Sequence, residues 1–191
     1  MKNLSKKGFT LVELLVVISI IGLLSTIAVV SLGSARAKAR DGKRIADVKQ
    51  ISTSLEQYYA DQGGYPPSNL VTAGTPQLVG TTNVTLSQGH ATTPCSALGF
   101  AAATIGTVYM SRVPPYPTPG PSGVATSCAG TYTAPGTAAP IFDAVYCYYT
   151  NGITCTASTD YKLTTKLEAS NTAAGITGTN CVVSSAGMVC S

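Results

Sequence analysis

From Leu14 through Ala35 the chain carries no charged side chain, an uninterrupted run of 22 residues. Ile, Leu and Val dominate it, with Ser19, Gly22, Ser25, Ser31 and Gly33 as its small positions. Wound as a helix it is about 33 Å long, enough for a bilayer core of roughly 30 Å. A basic stretch, Arg36-Ala37-Lys38-Ala39-Arg40-Asp41-Gly42-Lys43-Arg44, follows directly. The pattern then changes. Apolar side chains fall at Ile45, Val48, Ile51, Leu55 and Tyr58 or Tyr59, a three-and-four spacing that marks one stripe of an amphipathic helix. Asp41, Lys43, Arg44, Asp47, Lys49 and Glu56 fall mainly off that stripe. Gln62-Gly63-Gly64-Tyr65-Pro66-Pro67 supplies glycine to end a helix and proline beyond it. The pattern predicts one long helix from about Phe9 to Ala60, apolar in its first half and amphipathic in its second.

Beyond that helix the chain changes character. Between Asp61 and Asp143 the only formally charged side chain is Arg112, in a background of Thr, Ala, Gly, Ser and Pro. Few large apolar residues are available for a core, and long loops with short strands are expected. Strand signals return at Ala144-Val145-Tyr146-Cys147-Tyr148-Tyr149-Thr150, followed by the turn pair Asn151-Gly152. From Asp160 to Glu168 the residues Tyr161, Leu163, Thr165 and Leu167 alternate onto one face. The expected fold class is α+β: a long N-terminal helix, membrane half plus amphipathic half, packed on a small, disulfide-stapled antiparallel β-sheet domain.

One charge breaks the logic of a plain membrane span. Glu13 stands at the mouth of the apolar run, five residues after Gly8, and Lys2, Lys6 and Lys7 precede the glycine. A carboxylate in that place is costly and marks function. A secretory signal peptide has a shorter apolar region and its small residue after it, not before. A simple anchor explains the length and the lysines but not Glu13.

Lys7-Gly8-Phe9-Thr10-Leu11-Val12-Glu13-Leu14-Leu15-Val16-Val17-Ile18 resembles the class III signal of type IV pilins and pseudopilins. The resemblance implies cleavage between Gly8 and Phe9 by a membrane peptidase and N-methylation of Phe9. It also implies that Glu13 pairs with the N-terminal amine of a neighbouring subunit. The chemistry agrees, because a buried amine and a buried carboxylate each need a partner; a lone interfacial charge snorkelling to headgroups is the plain alternative. The run Leu55-Glu56-Gln57-Tyr58-Tyr59 through Gly64-Tyr65-Pro66 is similar to the helix exit of that family, and Tyr161 to Glu168 is similar to a late strand in it. Where many type IV pilins place a proline in the membrane half, this chain has Val30, with Gly33 and Gly42 as its weak points. The expected organisation is a leader over 1–8, a transmembrane and filament-core helix over 9–35, an amphipathic helix over 36–61 and a loop-rich antiparallel β domain over 62–191.

Six cysteines, at 95, 128, 147, 155, 181 and 190, all lie beyond the helix, which points to disulfides in an oxidising exterior. A three-residue hairpin loop over Thr150-Asn151-Gly152 sets Cys147 opposite Cys155; a two-residue Asn-Gly turn puts them on opposite faces. Ser184-Ser185-Ala186-Gly187 as a loop sets Cys181 opposite Cys190. Cys95 and Cys128 are left as the third pair. Sequence alone permits 15 pairings of six cysteines.

The remaining chemistry is sparse. No metal site is expected, since there is no close Cys-x-x-Cys pair and His90 is the only histidine. Some major pseudopilins hold calcium in an acidic loop, but the comparable Val113-Pro114-Pro115-Tyr116-Pro117 contains no acid. No cofactor is expected and no catalytic set surrounds His90; Asp143, Asp160 and Glu168 read as surface acids or caps. Asn83-Val84-Thr85 fits a glycosylation tripeptide, a pattern common by chance. The net charge of +4 contains the three leader lysines, so it says little about partners. The basic run Arg36 to Arg44 reads as a solvated or headgroup-facing surface rather than a nucleic-acid site.

By resemblance the chain is a structural subunit of a bacterial type IV pilus. The alternative is a pseudopilin of a type II secretion or DNA-uptake system. A third reading, a minor tip adhesin or DNA-binding pilin, draws on Tyr109, Tyr116, Tyr132 and Tyr148 as stacking platforms. The implied partners are copies of the chain itself, a prepilin peptidase and methyltransferase, an assembly platform with its ATPase, and the inner membrane before assembly; nucleic acid is a further option that nothing beyond those tyrosines supports. The implied location is the inner membrane as a single-pass precursor, then an extracellular pilus or periplasmic pseudopilus.

Overall fold

The computed structural model describes residues 8–68, 76–80, 83–88, 99–102, 104–120, 128, 145–152, 154, 157–169 and 178–190. Lys2, Lys6, Lys7, His90, Cys95, Tyr132, Asp143 and Cys155 lie outside these residues.

One helix, α1, runs Leu11–Gln62. Its C-terminus is closed as the sequence expects: Gly63 takes a φ of 73° and donates its N–H to the Tyr59 carbonyl at 2.9 Å. A glycine enters that left-handed conformation without steric cost, and the bond satisfies one of the last free carbonyls. The chain divides into two compact units, Met1–Ala39 and Arg40–Ser191.

In the first unit the large apolar side chains of α1 from Leu11 to Leu32 are exposed. The helix is long and apolar enough to cross a membrane, with a mean hydropathy of 2.7 in its most apolar window. Its hydroxyls turn back onto the helix itself. Ser19 donates to the Leu15 carbonyl at 2.8 Å, Thr26 to Leu23 at 2.8 Å, and Ser34 to Ser31 at 3.0 Å. Such internal bonding gives these three hydroxyls an acceptor without water.

The second unit packs the rest of α1 with antiparallel sheets. Five strands form one sheet in the order β1 (Gln77–Leu78), β5 (Cys147–Thr150), β6 (Tyr161–Lys166), β7 (Asn180–Ser184) and β8 (Gly187–Cys190). Three short strands form the other, with β2 (Thr85–Ser87) between β3 (Phe100–Ala101) and β4 (Val108–Met110). The helix stripe Val48, Ile51, Leu55 and Tyr58 is buried and joins Leu86, Phe100, Tyr146, Tyr148, Tyr161 and Leu163 in one core.

That core answers the shortage of large aliphatic residues with tyrosine. A buried phenol needs a hydrogen-bond partner, and these find one. Tyr148 donates to the Pro66 carbonyl at 2.6 Å, Tyr146 to Asp47 at 2.8 Å, and Tyr116 to the Lys166 carbonyl at 2.7 Å. The Tyr161 hydroxyl lies 2.8 Å from that of Ser52. Tyr116 and Tyr148, stacking platforms only in the third reading above, are therefore core residues.

The strand alternation of Tyr161, Leu163, Thr165 and Leu167 is present, all four being buried while Lys162 and Lys166 are only partly so. The Asn151-Gly152 hairpin is not. Strand β5 pairs with β6 in the register Thr150↔Tyr161, so the connection is long. Asn151 instead closes the neck of that loop: its Nδ2 donates to Thr159 and its Oδ1 accepts the Asp160 N–H. A Cβ at Gly152 would stand 2.5 Å from the Ala157 backbone, so this glycine serves a close approach rather than a tight turn.

That register also corrects two cysteine pairings. Opposite Cys147 stands Thr164, and the strand holding Cys147 bonds to Cys128 instead, with Cα atoms 5.6 Å apart. Neither Cys147–Cys155 nor Cys95–Cys128 exists. Alternation along β5 is the cause: Tyr146 and Tyr148 join the helix-facing core, while Val145, Cys147 and Tyr149 form a second cluster with Leu78 and Cys128. Cys181 is bonded to Cys190, its direct cross-strand partner in the β7–β8 ladder. The turn there is tighter than expected, with Ser184 facing Gly187, and the register is the same.

Candidate processing and assembly site

The N-terminal site is built on the first turn of α1. Thr10 precedes the helix and caps it. Its hydroxyl accepts the Glu13 N–H at 3.3 Å, and its N–H and hydroxyl each donate to Glu13 Oε2 at 2.8 Å. This reciprocal arrangement is a capping box, in which Thr-x-x-Glu satisfies free helix-end donors. The acidic side chain also lies at the positive end of the helix dipole. Both bonds converge on Oε2 of an exposed side chain, and no described residue donates to Oε1.

Gly8 and Phe9 stand just before this cap. A Cβ placed on Gly8 would meet nothing within 4 Å, and its φ is not in the left-handed region. The fold itself therefore makes no demand for glycine there. Phe9 is 89% exposed, the most exposed large apolar side chain among the described residues. The structure thus brings Gly8, Phe9 and Glu13 together at one helix end, with Glu13 as the sole carboxylate of the first unit.

A second charged cluster lies in the other unit, and sequence reasoning missed it. Asp41, Arg44 and Asp47 were expected off the buried stripe; all three are buried, Arg44 completely. Arg44 Nη1 donates to Asp41 Oδ1 at 2.6 Å and to Glu168 Oε1 at 2.8 Å. Its Nη2 donates to the carbonyls of Pro117 and Pro119, each at 3.1 Å. Arg40 binds the Glu168 carboxylate with two donors, Nε at 2.6 Å and Nη2 at 2.5 Å. Asp41 also accepts the backbone N–H groups of Glu168 and Ala169. The Arg44 guanidinium lies 4.7 Å from the centre of the Tyr116 ring.

The signal was present in the periodicity. Counting back from Val48 by four and three reaches Arg44 and Asp41, so the buried stripe starts one helical turn earlier than its first apolar residue. Only the exposed members of the basic run, Arg36, Lys38 and Lys43, fit the expected solvated surface.

The electrostatics follow the contacts. The Arg40 hydrogen bonds, reinforced by Arg44, hold the Glu168 carboxyl down to about 2. Arg40 is raised in turn by that same bond. Burial pushes the Asp47 carboxyl up, against the stabilising Tyr146 hydroxyl. Burial also raises the Tyr116 phenol to about 12. Among the described residues no group of three His, Cys, Asp or Glu side chains is placed to hold a metal ion.

Comparison with known proteins addresses the N-terminal site. Residues 3–29 match the family described as the prokaryotic N-terminal methylation motif. The type II secretion system core protein G of Escherichia coli (strain K12) is 38% identical over 64 residues, 34% of this chain and 44% of that protein. The protein of the same name from Aeromonas hydrophila is 35% identical over 66 residues, 35% of this chain and 46% of that protein. The type IV major pilin protein PilE1 of Neisseria gonorrhoeae is 33% identical over 67 residues, 35% of this chain and 41% of that protein. The chain thus spans less than half the length of these relatives. No solved structure matches it. The apolar helix that begins at the Thr10–Glu13 cap lies within a match to the prokaryotic N-terminal methylation motif, and over about a third of its length the chain is similar to type II secretion core protein G and to type IV pilins.

Proposed function

We propose that this chain is the precursor of a type IV pilus subunit, cleaved between Gly8 and Phe9, N-methylated on Phe9 and packed into a filament by its apolar helix. The observation that carries the reading is the end of α1. The exposed apolar half of α1, otherwise uncharged through Ala35, holds one carboxylate, Glu13, in its first turn, five residues after a glycine that the fold does not need. Cleavage removes the leader lysines and leaves an ammonium at Phe9. In a filament the open Oε1 of Glu13 receives that ammonium from a neighbouring copy, which fixes the axial register of the helices.

In this reading residues 1–8 are leader, 9–35 form the membrane span and later the filament core, 36–61 continue the helix, and 62–191 form the exported domain. The partners are further copies of the chain, a peptidase and methyltransferase that process its N-terminus, and a membrane platform with an ATPase that extracts it. The chain waits in the inner membrane and ends in the filament. The second reading, a subunit of a short periplasmic pseudopilus, rests on its similarity to core protein G over the same helix.

Intact mass and N-terminal analysis of protein from sheared surface filaments tests the proposal. The expected result is a chain that starts at N-methylated Phe9. A protein that keeps Met1 and never leaves the membrane would overturn it, and a processed chain confined to the periplasm would select the pseudopilus. The variant Glu13→Ala is expected to be cleaved normally yet yield no filaments; normal filaments from it would refute the amine pairing.

A further inference from the structure

The charged cluster around Arg44 has no part in processing or assembly as proposed above, and its geometry is that of a binding site with its ligand in place. Four oxygens from three separate segments converge on one guanidinium: Asp41 Oδ1 from α1, Glu168 Oε1 from the residues after β6, and the carbonyls of Pro117 and Pro119 from the proline-rich loop. The guanidinium is wholly shielded from solvent, and its Nε has no acceptor. So the chain delivers the charge to this place without matching every donor. Two carboxylates and two backbone carbonyls are hard oxygen donors, the class that binds compact cations. The carbonyls cannot be protonated away, and prolines hold them on a backbone that offers no N–H of its own.

We propose that this cavity is a cation-binding site whose resident cation is the Arg44 side chain, and that it accepts a divalent cation or a free guanidinium once that side chain is removed. Arg44 does the work of a bound ion. It neutralises Asp41 against Glu168 and ties the proline loop and the end of β6 to the helix. The wild-type unit therefore draws on no divalent ion at this place. With a neutral side chain at 44, the two carboxylates and two carbonyls face each other around an empty volume, and charge must be recruited from solution. Arg40 is different. It contacts Glu168 alone, from the partly exposed side, and lies outside the ring of four oxygens.

The test uses the full chain in detergent micelles, melted by calorimetry, with three proteins. The wild type is expected to melt at the same temperature with a chelator, with calcium, or with ethylguanidinium, the fragment that Arg44→Ala deletes. Arg44→Ala is expected to melt about 10 °C lower and to recover at least half of that loss, saturably, with calcium or ethylguanidinium at concentrations far below denaturing ones. Arg40→Ala is expected to lose stability without recovery by either. The proposal is overturned if Arg44→Ala melts like the wild type, if neither cation restores it, or if Arg40→Ala gains as much. Should Arg44→Ala fail to fold, Arg44→Lys decides: an ammonium keeps the charge inside, so that variant must fold, melt below the wild type and ignore calcium. A gain from calcium in the lysine variant overturns the proposal as well. Filament formation enters none of these readouts, so they stand or fall apart from the assembly reading.

Discussion

Glu168 is one exposed-looking acid in the sequence and one of the most constrained side chains in the molecule. Two arginines and its own backbone N–H bind it to α1. Its folded carboxyl titrates near 2, against an ordinary 4.5, first because Arg40 donates to it. In the window between those values the unfolded chain binds more protons than the folded one. Stability from this residue is therefore complete above about 4.5 and lost as pH falls towards 2. Asp47 has the opposite sign: burial raises it, so its contribution is present at low pH and lost as pH rises through its folded value. The larger shift belongs to Glu168. Denaturation midpoints are expected to fall as pH drops from 5 to about 2.5, and Glu168→Gln is expected to flatten that fall while lowering stability at neutral pH. A midpoint that rises on acidification would show that Asp47 governs instead. The sequence hid this residue because its partners are more than a hundred positions away, where no local pattern reaches.

Among the elements, α1 was the most legible, since its two periods and its glycine stop are local signals. Strand β6 was legible for the same reason. Strand β5 was right as a strand and wrong as half of a tight hairpin: Asn151-Gly152 is a turn pair by composition, but Asn151 bonds across a loop neck. Because a disulfide pairing inherits the register around it, that one error carried Cys147 to the wrong partner. The β7–β8 hairpin differs because its short turn leaves a single register. Its staple joins cysteines nine positions apart and holds the edge strand of the larger sheet. Replacing Cys181 and Cys190 together by alanine is expected to cost about 2–3 kcal/mol in urea denaturation. A loss under about 0.5 kcal/mol would mean that the ladder alone holds the edge.

At the scale of the molecule, the chain is two units with opposite solvent requirements. The first exposes its large apolar side chains, while the second buries a compact core and pairs Arg44 internally with Asp41 and Glu168. Residues 40–191, produced in an oxidising compartment, are expected to elute as a monomer without detergent, whereas the full chain should need it. Aggregation of the shortened chain would show that the second unit depends on the first. The break in composition made this division readable. What composition could not reveal was the material of the core, because tyrosine reads as surface until its hydroxyl is seen to have a partner.

That tyrosine core has an optical consequence. The chain contains no tryptophan, and all ten tyrosines lie at or beyond Tyr58. Several are in ring contact, Tyr59 with Tyr65 at 4.8 Å between centroids and Tyr65 with Tyr161 at 4.6 Å, and Tyr146 donates directly to a carboxylate. Tyrosine dichroism and tyrosine fluorescence therefore report the second unit alone. A spectroscopist watching the first unit enter a bilayer would see a constant tyrosine signal while that helix changed its surroundings completely, and a tryptophan introduced at Phe9 would be needed to make that event visible.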